Sequence, residues 1–415
     1  MRLVTLFLYA LILGSCARVT SSSTLPAPMR AALPATKNFK SLHEFAGLDG
    51  AKPFASLVWF NNVFYGTTLF GGNSSACGSQ GCGTVFSMTP SGTETVVYNF
   101  QGNSDGENPF GGLTKVNGVL YGTTQAGGAN NFGTVFTISA SGSKTVIYSF
   151  KGMPADGKSP MATLLSYNGK LYGTTEYGGT DDEGTVFSIT PSGKEKLLYS
   201  FQGQPDGAYP RSSLIAVAGT LYGTTQYGGT STACSTYNPT GCGTVFSVST
   251  SGQEALRYSF QGQPDGSRPL SALVNPGAGL LYGTTWGGGA SGLGTVFQIT
   301  PVGLATGIYS FAGAPDGANP FGGLTYYNGA LYGTTSGGGG SSGCPPSENG
   351  CGTVFSITLL GGENVLYSFQ GGADGESPQA SLVTRSGDLF GSAAEGGQSC
   401  GNSSPGCGTI FRVIP

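Results

Sequence analysis

Residues 171–190 read LYGTTEYGGTDDEGTVFSIT, and this stretch decides the fold because both of its halves recur along the chain. The tetrapeptide Tyr-Gly-Thr-Thr occurs six times, and a seventh, degenerate copy begins at Phe390. Gly-Thr-(Val/Ile)-Phe and an Asp-Gly pair also occur seven times each. The repeat length of about fifty residues is typical of propeller blades. The sequence therefore predicts seven structural units.

Each unit contains four short apolar or β-branched runs that are bounded by turn residues, and none is long enough for a helix. In the third unit we predict strands a to d at residues 162–167, 170–175, 184–190 and 196–201. An Asn-Gly pair joins strand a to strand b and suits a type I′ hairpin turn. The d-to-a link is long enough to carry the chain from the outer edge of one blade to the inner edge of the next, as propellers require.

The two ends of the chain predict how the ring closes. The repeats begin with an isolated d strand at residues 40–45 and finish with an isolated c strand at residues 408–413. If these strands pair, the N-terminal strand completes the last blade and leaves no long open sheet edge. We therefore predict an all-β, seven-bladed propeller of four-stranded blades over residues 39–415. A c-d-a-b blade also closes the ring, so the sequence does not decide which strand is innermost.

The composition argues against a nucleic-acid partner and against a disordered chain. Charged residues make up 9% of the chain, against roughly a quarter in an average globular protein. The net charge is −3 and the Lys and Arg residues do not cluster, which argues against a nucleic-acid partner because phosphates need a basic surface. Hydrophobic residues, 38% of the chain, recur in register and therefore argue against disorder.

Residues 1–16 have the features of a signal peptide, with a basic residue, an apolar run and a Leu-Gly-Ser-Cys motif that ends at Cys16. This motif resembles the bacterial lipobox, whose cysteine becomes the lipid-modified N-terminus. The alternative is ordinary secretion with cleavage nearby. Residues 17–38 are rich in Ser, Thr, Pro and Ala and predict a flexible tether. We expect an outer-membrane or cell-surface lipoprotein that contacts the membrane through its anchor, or otherwise a secreted protein.

Nine cysteines leave one without an intramolecular partner, and lipidation of Cys16 accounts for it. The other eight form local pairs between strands b and c. The predicted disulfides are Cys77–Cys82, Cys234–Cys242, Cys344–Cys351 and Cys400–Cys407. Each closes an inserted loop, which stabilises the fold by about 2 kcal/mol and requires an oxidising compartment. Zinc is the alternative, but its thiolates would come from different blades and His43 is the only histidine.

Residues 39–415 resemble the GloVer (Gloeo/Verruco) tandem-repeat proteins of bacteria, through repeated Leu-Tyr-Gly-Thr-Thr-x-x-Gly-Gly and Gly-Thr-Val-Phe. The unit is also similar to a kelch repeat, in which a strand ending in Gly-Gly follows an Asn-Gly turn. The resemblance implies a propeller, a surface location and one of several kinds of surface anchor, here the lipid at Cys16. It implies no activity, so function must be inferred from the residues.

Features that recur in every unit are predicted to be structural. The Asp-Gly carboxylates are expected to accept backbone N–H groups in turns, with weak calcium binding as the alternative. The Asp-Gly pairs begin at Asp49, Asp105, Asp156, Asp206, Asp265, Asp316 and Asp374. The repeated Tyr, Thr and Phe are expected to pack within and between blades, and the glycine of Tyr-Gly-Thr-Thr to let a neighbouring sheet approach. His43, on the outer closing strand, is likewise expected to be structural.

A functional signal is expected where the repeats differ, at the two positions between Thr-Thr and Gly-Gly. These positions follow strand b and lie on the face that carries the b-to-c loops. Aromatic rings beside Gln and Glu are what a carbohydrate or peptide site uses. The candidate ligand-binding residues are Phe70, Gln125, Glu176, Tyr177, Gln226, Tyr227 and Trp286. The alternative is that these rings only cover the ends of their own blades.

We therefore expect a monomeric binding module whose ligand is a glycan or another surface protein. One alternative is a carbohydrate-active enzyme, a lyase or glycosidase, that uses two carboxylates. No nucleophile, metal-ligand or phosphate-binding motif is present, so no catalytic residue and no cofactor is predicted. A second alternative is a structural surface protein, which predicts that Phe70, Tyr177, Tyr227 and Trp286 are buried.

The one local acidic cluster follows Glu176 in the third unit. Asp181, Asp182 and Glu183 are interpreted as a solvated loop, with calcium binding as the sharper alternative.

Overall fold

The structure is a computed structural model that describes residues 38–236, 240–341, 343–344, 349–400 and 406–415. The predicted signal peptide, the predicted lipidation site at Cys16 and the predicted tether up to residue 37 lie outside the described residues.

Seven four-stranded antiparallel sheets form the blades, and in each sheet the strands pair in the order a-b-c-d. In blades 1 to 3, strands a to d are Val58–Phe60, Val63–Thr68, Thr84–Met88 and Glu94–Asn99; Thr114–Val116, Val119–Thr124, Thr134–Ile138 and Lys144–Ser149; and Leu165–Tyr167, Lys170–Thr175, Thr185–Ile189 and Glu195–Ser200. In blades 4 to 6 they are Ile215–Val217, Thr220–Thr225, Thr244–Ser249 and Glu254–Ser259; Val274–Gly277, Leu280–Thr285, Thr295–Ile299 and Ala305–Ser310; and Thr325–Tyr327, Ala330–Thr335, Thr353–Thr358 and Glu363–Ser368. The described residues contain no α-helix, and their helical segments are the 3-10 turns Gly78–Gln80, Asn103–Asp105 and Gly372–Asp374.

Blade 7 is completed by both ends of the chain, as predicted. Its strands a, b and c are Val383–Arg385, Asp388–Ala393 and Thr409–Val413, and its strand d is Phe39–Glu44. The two end strands pair antiparallel, with Phe39 opposite Val413 and Glu44 opposite Thr409. The a strands of neighbouring blades contact one another, so strand a is innermost and the a-b-c-d blade is the correct arrangement.

The core is divided among seven seams, by which we mean the contacts between neighbouring blades. At every seam the Phe that follows strand d packs edge-on against the Phe of strand c in the next blade, with ring centroids 5.0–5.3 Å apart. The pairs are Phe45–Phe86, Phe100–Phe136, Phe150–Phe187, Phe201–Phe246, Phe260–Phe297, Phe311–Phe355 and Phe369–Phe411. Such pairs add about 0.5–1.5 kcal/mol to the free energy gained by burying their surface. The prediction that the repeated Phe packs between blades is confirmed.

The two threonines of each Tyr-Gly-Thr-Thr motif have different hydrogen-bonding partners. In blade 3 the hydroxyl of Thr174 donates to the backbone carbonyl of Ser212 in the next blade, whereas Thr175 bonds to Thr185 on strand c of its own blade. Equivalent bonds occur in the other five Tyr-Gly-Thr-Thr blades, whereas in blade 7 Ser392 takes the first role and Ala393 stands in place of the second threonine. The first threonine therefore joins neighbouring blades, and the second joins strands b and c.

Strand a is shorter than predicted, because its first predicted residues hydrogen-bond to the preceding blade rather than to strand b. In blade 3 it spans Leu165–Tyr167 instead of 162–167. The carbonyl of Ala162 accepts from Thr123 of the preceding blade, so residues 162–164 form part of the seam. Strand b, Lys170–Thr175, was predicted with its exact bounds.

The glycine of Tyr-Gly-Thr-Thr is required for a close approach, but the prediction that a neighbouring sheet makes this approach was wrong. A Cβ atom on Gly173 would lie 2.6 Å from Cζ of Phe187, the residue opposite it in the same blade. It would also lie 2.8 Å from Leu164 Cδ2, again in the same unit. The glycine therefore makes room for the repeated Phe ring to lie across strand b.

The Asp-Gly carboxylates are bound within the fold, as predicted. In six seams a Tyr hydroxyl of strand d donates to the Asp carboxylate, at 2.5–3.0 Å. The same carboxylates accept backbone N–H groups, such as that of Gln202 on Asp206. At the seventh seam His43 replaces the Tyr, with Nε2 3.0 Å from Asp49 Oδ2.

All four predicted disulfides are present, Cys77–Cys82, Cys234–Cys242, Cys344–Cys351 and Cys400–Cys407. They lie in the b-to-c connections, and four disulfides are typical of a protein from an oxidising compartment. Among the residues that the structure describes, we find no helix with the length and hydrophobicity needed to cross a membrane.

Candidate binding face

The b-to-c loops and the d-to-a links lie together at one end of the blades, which we call the loop-rich face. In blade 3 the short strand Gly157–Lys158 of the link pairs with Tyr177–Gly178, which follows strand b. Equivalent pairs or single bridges occur in all seven blades. The residues between Thr-Thr and Gly-Gly, which carry the sequence prediction, are therefore fixed against the links.

Each link contains an x-Pro-x segment on this face, and the residue before the proline has an unusual backbone conformation. These pre-proline residues are Lys52, Asn108, Ser159, Tyr209, Arg268, Asn319 and Ser377, with φ between 53° and 59°. Non-glycine residues rarely adopt positive φ, and such strain often accompanies a binding site. Here two backbone hydrogen bonds hold each one. Tyr209 N donates to the carbonyl of Glu183, and Tyr209 O accepts from Gln226 N.

The residues after the prolines surround the axis of the ring. A central cavity of about 90 Å³ is lined by all seven segments. Its first ring consists of Phe54, Phe110, Met161, Arg211, Leu270, Phe321 and Gln379. Phe54 and Phe110 stack on one another with ring centroids 5.0 Å apart. This ring of seven residues is therefore mainly apolar, and Arg211 is its one cationic member.

The predicted residues of blades 3 and 4 come together around a tyrosine that the sequence analysis missed. Tyr209 lies between Tyr177 and Tyr227, with ring centroids 4.7 and 5.8 Å away and both contacts edge-on. All three side chains are half-buried, so each retains accessible surface. We call these three residues the tyrosine arc.

Charged side chains flank the tyrosine arc and are paired with one another. Arg211 donates from both Nε and Nη2 to Oε1 of Glu176, whose side chain is 2% exposed. Glu176 was a predicted ligand contact, but its burial makes it a residue that positions Arg211. Lys158 Nζ lies 5.4 Å from the ring centre of Tyr177 and 2.7 Å from Asp182 Oδ2. Burial, with the nearby Glu176 carboxylate, raises the pKa of Tyr177 to about 12, so its hydroxyl stays a donor at neutral pH.

The other predicted residues are distributed around the face. Trp286 of blade 5 lies under the guanidinium of Arg268, 3.9 Å from its carbon to the ring centre. Gln226 is 8% exposed, and its Oε1 accepts no hydrogen bond from the described residues. Gln125 Nε2 lies 4.0 Å from Met161 Sδ. Phe70 belongs to blade 1, whereas the tyrosine arc lies on blades 3 and 4. It lines a separate cleft of about 820 Å³, beside the Lys52–Glu395 ion pair.

The three side chains of the acidic loop of blade 3 do not converge on one point in the described structure. Asp182 is bound to Lys158 and, through Oδ1, to Gly178 N at 2.7 Å. Asp181 is exposed, and burial raises the pKa of Glu183, with the neighbouring Asp182 and Asp181 as further causes. These three residues are not among the groups of converging metal-ligand atoms in the described part of the chain. The geometry gives the calcium hypothesis no support.

The signal for the missed residues is present in the sequence. The segments around the seven prolines read KPF, NPF, SPM, YPR, RPL, NPF and SPQ. An unvarying proline with varying neighbours marks a fixed backbone that presents different side chains. Comparing the repeats at these positions, and not only after Thr-Thr, identifies Tyr209, Arg211 and Arg268.

The fold and its loop-rich face define a seven-bladed β-propeller with a surface of varied side chains. The chain belongs to the Gloeobacter/Verrucomicrobia repeat family, whose model matches residues 31–237 and 232–411. No curated protein matches the sequence.

Two solved structures are similar to this chain to different degrees. Virginiamycin B lyase from Staphylococcus aureus has a TM-score of 0.56 at 13% identity, covering 91% of this chain and 100% of the lyase. A gluconolactonase from Xanthomonas campestris has a TM-score of 0.42 at 11% identity, covering 91% of this chain and 89% of the enzyme. At such identities the likeness to the lyase is one of fold, and the second match carries no argument.

Proposed function

We propose that this protein is an extracytoplasmic binding module that recognises a glycan through the tyrosine arc on its loop-rich face. The observation that carries the proposal is the cluster of Tyr177, Tyr209 and Tyr227, three half-buried rings from two blades and the link between them. A purely structural role predicted fully buried rings at the variable positions. Tyr177, Tyr227, Phe70 and Trp286 are all half-buried instead.

The arrangement suits a sugar because it combines apolar surface with a few fixed polar groups. The C–H faces of pyranose rings pack on aromatic side chains, while polar side chains bond to the hydroxyls. Tyr hydroxyls and the Arg211 guanidinium supply such groups. Because Glu176 fixes Arg211 and the seven prolines fix the backbone, little conformational entropy is lost on binding.

The same contacts favour binding over catalysis. A glycosidase needs one carboxylic acid that gives up a proton and a second carboxylate as nucleophile or base. Beside the tyrosine arc, Glu176 is buried in an ion pair with Arg211, and Asp182 is paired with Lys158. Both carboxylates are therefore already engaged. The observation that favours the enzymatic alternative is the raised pKa of Glu183, as a general acid would need, but the two other carboxylates are paired with cations.

The location is part of the proposal and rests on the sequence. The disulfides support an oxidising compartment. Lipidation of Cys16 would attach the protein to a membrane and leave the propeller free to bind a surface polysaccharide. Mass spectrometry of the mature N-terminus tests this. A diacylated cysteine that disappears in Cys16→Ala is the expected result, whereas an unmodified N-terminus beyond residue 16 would show ordinary secretion.

The binding proposal is tested with a screen of neutral and acidic polysaccharides against the full-length protein, followed by titration of any binder. Three variants accompany the parent: Tyr177→Ala/Tyr227→Ala, Tyr209→Asn and Phe70→Ala. The first two remove rings of the tyrosine arc. Phe70→Ala is the matched control because it removes another half-buried ring, from the separate cleft.

Binding that is lost in both arc variants and retained by Phe70→Ala supports the proposal. Loss of binding in Phe70→Ala alone would place the binding site in the cleft of blades 7 and 1 instead. If no polysaccharide binds, the glycan proposal is wrong, and cross-linking from the arc positions on intact cells then tests for a protein partner.

A further inference from the structure

The seven seams share a set of three side chains whose third member varies. The first comes from strand d of one blade, the second is the Asp of the following Asp-Gly pair, and the third begins strand d of the next blade. The sets are His43, Asp49, Glu94; Tyr98, Asp105, Lys144; Tyr148, Asp156, Glu195; Tyr199, Asp206, Glu254; Tyr258, Asp265, Ala305; Tyr309, Asp316, Glu363; and Tyr367, Asp374, Phe39. The seam between blades 7 and 1 is thus the one that combines a histidine with two carboxylates.

At this seam three atoms that could bind a metal ion lie close together. A ring nitrogen of His43, a carboxylate oxygen of Asp49 and one of Glu94 all lie within 4.8 Å of one another. His43 Nε2 is 3.0 Å from Asp49 Oδ2, and the two side chains are 19% and 23% exposed, so an ion has a path from solvent. Oε1 of Glu94 is shielded from solvent and has no hydrogen-bond partner in the described residues.

At the neighbouring seam the equivalent position is occupied by a cation. At the seam of blades 1 and 2, Lys144 replaces the glutamate and its Nζ lies 2.7 Å from Asp105 Oδ1 and 2.6 Å from the Asp105 carbonyl. The Lys144 side chain is 1% exposed. An ammonium group therefore neutralises the Asp carboxylate there. At the seam of blades 7 and 1 the lysine is absent, a second carboxylate takes its place, and an imidazole replaces the phenol.

We propose that His43, Asp49 and Glu94 form a binding site for a divalent transition-metal ion of the zinc class. An imidazole with carboxylates suits Zn²⁺ and its first-row neighbours, whereas calcium and magnesium prefer oxygen ligands alone. Two ligands with bonds of about 2.1 Å to one ion stand roughly 3.0–3.4 Å apart, which the His43–Asp49 separation already satisfies. The Glu94 carboxylate reaches the ion by a side-chain rotation, and solvent completes the coordination.

A metal here would act as a clasp between the chain's first strand and blade 1. His43 belongs to Phe39–Glu44, the strand that closes the ring, and Glu94 begins strand d of blade 1. The ion would therefore hold the N-terminal strand, which completes blade 7 by pairing with the C-terminal strand, against blade 1. This role is independent of the tyrosine arc, which lies on blades 3 and 4.

The test compares zinc uptake by the full-length, oxidised protein with uptake by two variants that copy other seams. His43→Tyr installs the residue that the other six seams use, and Glu94→Lys installs the arrangement of Lys144. Both variants are therefore expected to fold. All proteins are purified without a polyhistidine tag, dialysed against zinc chloride and analysed by inductively coupled plasma mass spectrometry, with a zinc titration for the dissociation constant.

The expected result is about one zinc per parent chain, no competition from calcium, and at least ~10-fold weaker binding in both variants. Zinc should also raise the melting temperature of the parent and leave that of the variants unchanged. Equal uptake by all three proteins, or no uptake by the parent, would overturn the proposal. If His43→Tyr proves unstable, Glu94→Lys decides the question alone.

Discussion

The seams and the loop-rich face are built from the same seven repeats, but they differ in what the repeats keep. Every seam has the same edge-on Phe pair. On the face, the residues on either side of each proline change from unit to unit, although the backbone at the pre-proline position keeps φ within 53–59°. Packing thus dictates the side chain at the seams, whereas on the face it dictates only the backbone. The face is the part of the molecule that is free to acquire a ligand.

The largest effect that separates the two regions is expected from truncating a seam ring. Phe187→Ala should lower the free energy of unfolding by about 3–5 kcal/mol, because the ring is 1% exposed and leaves a cavity against Phe150 and Gly173. Tyr177→Ala, on the face, should cost less than ~1.5 kcal/mol because its ring is only partly buried. Urea unfolding followed by tryptophan fluorescence measures both. Equal losses would show that the face is as much a part of the core as the seams.

A smaller loss of stability is expected when a methyl group fills the space between strand b and the ring of Phe187. Gly173→Ala should destabilise the fold by about 1–3 kcal/mol, because the new methyl group would lie 2.6 Å from Phe187 Cζ. The control is Gly307→Ala on strand d of blade 5, where a Cβ meets nothing within 4 Å. This variant should be neutral or slightly stabilising. A harmless Gly173→Ala would mean that the ring moves freely, contrary to its place in a packed seam.

On the face, the effect should appear in affinity and not in stability. Tyr209→Asn should weaken glycan binding at least ~10-fold while changing the free energy of unfolding by less than ~1 kcal/mol. Asparagine is the matched replacement because Asn108 and Asn319 occupy the equivalent positions with the same positive φ. Isothermal titration with the polysaccharide found in the screen measures the affinity. Unchanged binding together with lost stability would make Tyr209 a structural residue.

The sequence predicts what the repeats share because a shared feature is counted seven times. The blade number and the bounds of strand Lys170–Thr175 follow from such repetition, whereas the disulfides follow from local cysteine pairs and closure from the unpaired strands at the two ends. The innermost strand did not follow, since a-b-c-d and c-d-a-b blades have the same periodicity. Contacts between the a strands of neighbouring blades decide it, and these are long-range contacts that no local pattern records.

The candidate site was predicted less completely, because it combines residues that follow strand b with residues of the d-to-a links. Which of these residues are neighbours is decided only by the folded structure. The positions after Thr-Thr were chosen as variable residues, and Tyr177 and Tyr227 do lie on the face. Their neighbour Tyr209 comes from a link that was interpreted as a connection only. Glu176 was expected to meet a ligand, but its buried pairing with Arg211 is visible only when residues 35 apart are brought together.

The smallest expected effect concerns the third member of each seam set, which is the seam position that varies most. Burial raises the pKa of Glu195 and Glu254 from 4.5 to about 7, so in the folded protein these carboxyls hold their protons at a pH where the unfolded chain has lost them. Stability from this source is fully present below pH 4.5 and is lost as the pH rises through 7. Glu195→Gln and Glu254→Gln, which cannot ionise, should therefore exceed the parent in melting temperature by more at pH 8 than at pH 5. Because both groups are partly exposed, screening should limit the gain to about 1 kcal/mol each.

The chain offers the reverse experiment at the seam of blades 4 and 5, where the same position is Ala305. Ala305→Glu places a carboxyl near Tyr258 and Asp265, and it should lower the melting temperature at pH 8 more than at pH 5. Opposite trends in the Gln and Glu variants would identify the seam carboxyls as the source of the pH dependence. If both variants follow the parent at every pH, these carboxyls ionise without cost, and the variable seam position is as tolerant of charge as the loop-rich face.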